Sequence, residues 1–98
     1  MEETVLDYLV KVYEVYIELK DNNYESTISR QILEAIISTG KSIYSNKNHN
    51  IRDKLSEIIF LLCFVEKLSS NRKFGNFNVA NLDEIIKEGK SLCLDLGK

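Results

Sequence analysis

Ninety-eight residues suffice for a single domain covering positions 1–98, near the lower end of the usual size range. Apolar residues at 44% beside 29% charged exclude a disordered chain, and the absence of proline with only four glycines leaves little to interrupt helices. Thirteen basic against fifteen acidic residues give a formal charge of −2, which argues against a dedicated nucleic-acid binder and confines any basic surface to one locality.

The first helix is expected from about Glu3 to Asp21. Its polar residues Asp7, Lys11, Glu14 and Glu18 recur every three or four positions and so share one narrow stripe. Val5, Leu9, Val12, Tyr16 and Leu19 make the core seam opposite. Leu6, Val10, Tyr13 and Ile17 add a second apolar stripe, so that eleven of the fifteen residues from Val5 to Leu19 are apolar or aromatic. A bundle helix spends about three in seven that way. Asp21-Asn22-Asn23 breaks the pattern, and Ser26 or Thr27 can cap a second helix reaching Tyr44. Ile28, Ile32, Ala35, Ile36 and Ile43 face inward there. Gly40 costs roughly 1 kcal/mol relative to alanine in such a position, and small neighbours (Ala35, Ser38, Thr39, Ser42) invite a close helix approach.

Ser45 to Asn50 is the clearest loop. A third helix then runs from about Ile51 to Ser69, seamed by Ile51, Leu55, Ile58, Ile59, Leu62 and Val65. Its centre, Ile58–Val65, is eight apolar residues in a row, far short of the roughly twenty that span a bilayer. At 3.6 residues per turn, Phe60 and Phe64 fall on the outer side, among Asp53, Ser56, Glu57 and Lys67. Ser70 to Asn78 is a longer connection. The last helix opens at Asn78 or Asn81, where Asn81 and Glu84 have the spacing of a capping box. Leu82, Ile85, Ile86, Leu92, Cys93 and Leu96 make its seam, and Gly97 stops it. Together these predict an all-α protein, an antiparallel up-down-up-down four-helix bundle.

Gln31, Ala35, Ser38 and Ile43, in Gln-Ile-Leu-Glu-Ala-Ile-Ile-Ser-Thr-Gly-Lys-Ser-Ile, resemble the second helix of a bacterial four-helix-bundle family. That family comprises proteins encoded by intervening sequences of ribosomal RNA genes and the accessory variability protein of diversity-generating retroelements. Tyr13 and Tyr16 before a polar turn, Glu66 late in helix three, and a closing Leu-x-Leu-Gly are similar in placement. Ser42-Ile43-Tyr44-Ser45-Asn46 departs from the family's Asn-Ile-Ala-Glu-Gly. The resemblance implies a non-enzymatic bundle forming a ring-like homo-oligomer, commonly a pentamer, with an accessory role beside RNA or a reverse transcriptase.

Two surfaces stand out. Lys41, Lys47, Arg52 and Lys54 with His49 gather around the loop between helices two and three, and only Asp53 opposes them between positions 41 and 54. Such groups suit phosphate contacts to RNA or DNA, though a solubilising loop has the same composition. Leu6, Tyr13 and Ile17 with Phe60 and Phe64 form the expected oligomer interface, or a face by which an adaptor or inhibitor from a mobile element binds a partner through helices one and three. Entry of these residues into one core, with helix three tilted, is the ordinary alternative. No catalytic set emerges. Tyr44 stands five residues before His49, where an Arg-x-x-x-x-His nuclease needs arginine, and Asn46 stands where a di-iron site needs glutamate. One histidine and two separated cysteines make no zinc site, so neither metal nor cofactor is expected. Cys63 and Cys93 lie inside apolar patterns, which fits a reduced setting. With an acidic Met-Glu-Glu-Thr start, this predicts a cytoplasmic protein without a membrane partner.

Overall fold

Apolar spacing of three and four residues turns into helix throughout. The computed structural model describes residues 2–21, 26–45, 50–69 and 81–97, and these contain α1 (Glu2–Asp21), α2 (Ser26–Tyr44), α3 (Ile51–Ser69) and α4 (Leu82–Leu96). The protein is all-α, and no strand occurs among the described residues. α1 packs on α2 and α4, and α3 packs on the same two, whereas α1 and α3 lie diagonally across the core rather than side by side. Each helix thus gives one stripe to a shared core.

In α1 that stripe is Val5, Tyr8, Leu9, Val12, Val15 and Leu19, with Tyr16 only half-buried. In α3 it is Ile51, Leu55, Ile58, Leu61, Leu62 and Val65, with Ile59 displaced to the α4 side. Tyr8, Val15 and Leu61 are therefore core residues that the expected seams omit. Among the described residues no helix is long and apolar enough to cross a membrane.

Both ends of α4 differ from the sequence expectation. Asn81 precedes the helix in the left-handed region, φ 63°, and its side chain makes no cap hydrogen bond. A capping box needs an extended backbone at that residue, so the Asn81–Glu84 pairing does not form. Asn81 contributes its carbonyl instead, which accepts from the Ile85 N–H at 3.0 Å. Asparagine tolerates this conformation better than other side chains do. Gly97 does end the helix, but at φ −81°, with its N–H shared between the Cys93 and Leu94 carbonyls at 3.1 and 3.2 Å. A left-handed turn is not what glycine supplies there.

Tyr8 ties α1 to α4. Its ring is fully buried, and its hydroxyl donates to the Ile85 carbonyl at 3.0 Å. Burial pushes the phenol above its ordinary range, with Glu88 adding in the same direction. An acid with a raised folded pKa adds stability that is complete below its unfolded pKa, about 10, and lost as pH rises through the folded value. Stability should therefore fall above about pH 10, and Tyr8→Phe should flatten that fall in thermal melts taken across the alkaline range.

Candidate functional site

Two of the expected basic residues converge. Lys41 on α2 and Lys54 on α3 line an open groove of about 500 Å³ with Ser38, Ser42, Ser45 and Asn50. Lys54 is half-buried and its ammonium donates to the Ser38 hydroxyl, while Lys41 is exposed. Glu34, two turns before Lys41, lines the same groove. It offsets one of the two lysines, which counting charge along the loop does not reveal.

Arg52 is elsewhere. Two residues along a helix turn the side chain by about 200°, so Arg52 and Lys54 leave α3 on different sides. Arg52 lies over the end of α4, where a Cβ on Gly97 would stand 3.1 Å from its guanidinium carbon. A guanidinium beside free carbonyls at a helix C-terminus is favourably placed. It lines a second groove with Ser56, Ile59, Lys90, Cys93 and Leu94. The structure thus divides the expected basic set between two grooves. Lys47 and His49 lie outside the described residues.

Lysine ammoniums, an amide and hydroxyls can hold a phosphate, yet they supply no nucleophile with a base. Ser42 is buried, and the Thr39 hydroxyl donates to the Ala35 carbonyl at 2.7 Å. Such bonding to the helix backbone is the usual lot of hydroxyls in this position. Among the described residues, no three His, Cys, Asp or Glu side chains could hold a metal ion. The α1–α4 groove is acidic: Glu14, Glu18, Glu84 and Glu88 surround Lys11, whose ammonium pairs with Glu88 at 3.0 Å. Lys11, Glu14 and Glu18 of the α1 polar stripe thus border α4, while Asp7, Lys11 and Glu14 stay exposed to solvent.

The expected interface residues also separate. Phe60 is 63% and Phe64 43% exposed, their rings stacked with centroids 6.1 Å apart on the outer side of α3. Tyr13 is exposed, Leu6 and Ile17 are half-buried, and Leu6 packs in part against the core. These three belong to α1, which lies diagonally across the bundle from α3, so they do not form one patch with the phenylalanines on the outer side of α3. Their neighbours are on α2. Tyr8, Lys11 and Val15 mark the α4 side of α1, which leaves Leu6, Tyr13 and Ile17 on the α2 side. Ser38, Ser42 and Ser45 mark the α3 side of α2. That leaves Leu33, Gly40 and Tyr44 toward α1, while Ile37, on the outer crest, also lines the lysine groove. Val10 is 58%, Ile37 48% and Tyr44 79% exposed. The result is exposed apolar side chains on both of the neighbouring helices α1 and α2, of which the sequence reading found only those on α1. The signal was available, because Leu33, Ile37, Gly40 and Tyr44 repeat the 4-3-4 spacing of Leu6, Val10, Tyr13 and Ile17.

No protein-family model, characterised protein or solved structure matches this chain. Large apolar side chains in water on two separate faces are uncommon on a protein that acts as a single copy.

Proposed function

We propose that this chain is a non-enzymatic, antiparallel up-down-up-down bundle that assembles with copies of itself and serves as a cytoplasmic accessory protein. The direction of the helices is supported by their end contacts. Arg52 at the start of α3 lies over Gly97 beyond the end of α4, and Glu18 late in α1 shares a groove with Asn81 ahead of α4. The observation that carries the assembly is the exposure of Phe60 and Phe64 together with the α1–α2 apolar surface. Burying such area between copies adds roughly 25 cal/mol per Å² removed from water. The α1–α2 surface and the outer side of α3 are not diametrically opposed around the bundle. A contact between unlike faces set at an angle turns each copy by a constant amount, which is the condition for a ring. Light scattering for absolute mass tests this. A mass of several chains is expected, and a single-chain mass at every concentration would remove the reading.

Convergence of Lys41, Lys54 and Asn50 in one groove favours a second role, contact with the phosphates of RNA or DNA, in line with the accessory role beside a reverse transcriptase that the family resemblance implies. A ring would repeat the groove and raise avidity. Lys41→Glu with Lys54→Glu should abolish binding to a mixed-sequence RNA at low salt, and the unaltered protein's binding should weaken steeply as salt is added. Absence of binding by the unaltered protein at low salt would rule this role out.

A further inference from the structure

We infer that the groove between α3 and α4 binds an aliphatic chain ended by a small anion, a carboxylate or a phosphate monoester. Arg52 takes the head group, and Ile59, Cys93 and Leu94 take the chain. The site is independent of the assembly and of the nucleic-acid contact proposed above. Its volume, about 410 Å³, falls within the range of small-molecule sites, roughly 300–1,000 Å³. Ile59, Cys93 and Leu94 make the lining largely apolar, and Leu94 is 68% exposed. No aromatic side chain lines the groove among the described residues, so nothing there can stack a nucleobase. The Ser56 hydroxyl donates to the Arg52 carbonyl at 3.0 Å, and Cys93 Sγ lies 3.8 Å from Ser56 Oγ. Those two polar groups are occupied, which leaves the two cations, Arg52 and Lys90, for a ligand.

The charge there suits an anion. Arg52 and Lys90 are both exposed, and no carboxylate lines the groove among the described residues. Neither cation forms an ion pair among the described residues. In the lysine groove, by contrast, Glu34 accompanies Lys41 and Lys54, and in the α1–α4 groove Glu88 holds Lys11. The other carboxylates of the two helices lie elsewhere. Glu66 and Asp83 share the α3–α4 side but stand two turns beyond Ile59 and two turns before Lys90, and Asp83 pairs with Lys87 at 3.2 Å. Asp53 and Glu57 turn to the outer side of α3, while Asp95, two turns past Glu88, is on the α1 side of α4. Gly97 adds a specific fit. Its φ of −81° is open to any residue, yet a Cβ would stand 3.1, 3.3 and 3.4 Å from three guanidinium atoms of Arg52. The missing side chain therefore serves the arginine. It lets a planar group with five donors rest at this end of the groove, where a forked contact to two anion oxygens is available. The start of α3 meets the end of α4 here, so the opposite helix dipoles offset and the cations set the local field.

Titration of isotope-labelled protein with decanoate and with decyl phosphate, followed by amide chemical shifts, provides the test. At least one of them should move the amides of Ser56, Ile59, Cys93 and Leu94 to saturation, and the tighter of the two names the head group. Acetate and inorganic phosphate, which lack the chain, should leave these amides in place. Decanol, which lacks the charge, should bind about tenfold or more weakly. Arg52→Gln with Lys90→Gln should weaken the anion by a similar factor and leave decanol unchanged, whereas Leu94→Ser should weaken both. All three side chains are exposed, so the variants keep the core, which circular dichroism verifies. Decanol binding as tightly as the anions, an unchanged affinity in the double variant, or shifts confined to other parts of the chain overturns the inference. So does a response of these amides to mixed-sequence RNA, or to phosphatidylglycerol vesicles, where neither monomeric amphiphile produces one.

Discussion

Gly89→Ala should lower the melting temperature by about 10 °C. Gly89 is buried where α4 crosses Tyr8, and a Cβ there would overlap the Tyr8 hydroxyl, stand 2.8 Å from its ring carbon Cζ and 3.0 Å from Ile59 Cγ1. Forcing a methyl into a filled core costs about 1–3 kcal/mol. Displacing the Tyr8 hydroxyl adds the loss of its bond to Ile85, while the better helix propensity of alanine returns roughly 1 kcal/mol. A net loss near 2 kcal/mol moves the midpoint of a domain this size by about 10 °C. Tyr8→Leu removes the obstructing ring end, so the double variant should lose less than the two single losses combined. Simple additivity in melts followed by circular dichroism would show that the glycine does not serve this contact.

Phe60→Asp with Phe64→Asp should act on mass rather than on fold. Both rings are largely in water, so the single chain keeps its core. Returning two partly exposed phenylalanines to water at a contact between copies removes roughly 3 kcal/mol, equivalent to more than a hundredfold in the dissociation constant. Sedimentation or light scattering at concentrations where the unaltered protein is assembled should show the variant as a single chain with unchanged helicity. Because assembly adds stability by mass action, the melting temperature of the unaltered protein should rise with its concentration, and that of the variant should not. A concentration-independent midpoint for both would place the rings outside any contact between copies.

Much of this was readable from local pattern. α3 is bounded by Ile51 and Ser69 as its periodicity indicates, and the outward placement of Phe60 and Phe64 follows from counting turns. What escaped depends on who faces whom. Tyr8 and Gly89 select each other from positions 81 apart along the chain, and neither residue alone signals the fit. The basic set misled for a different reason. Adjacent charges in sequence were summed as though they shared a side, although two helical steps carry Arg52 and Lys54 apart and two full turns carry Glu34 to Lys41. The missed apolar side chains of α2, Leu33 to Tyr44, were hidden by a sequence reading that assigned α2 a single inward face.

Two apolar faces that differ in shape, one over α1 and α2 and the other on the outer side of α3, give each molecule a polarity. If unlike faces meet as proposed, any open row of copies would end in bare phenylalanine rings, a ridge on α3, at one extremity and an uncovered α1–α2 surface at the other, and both invite further growth. A molecule stripped of its ridge can occupy the first of these ends but offers the next copy nothing to bind. A small admixture of such defective molecules should therefore cap open rows and break up rings in proportion to their number, poisoning the assembly without touching the folded chain.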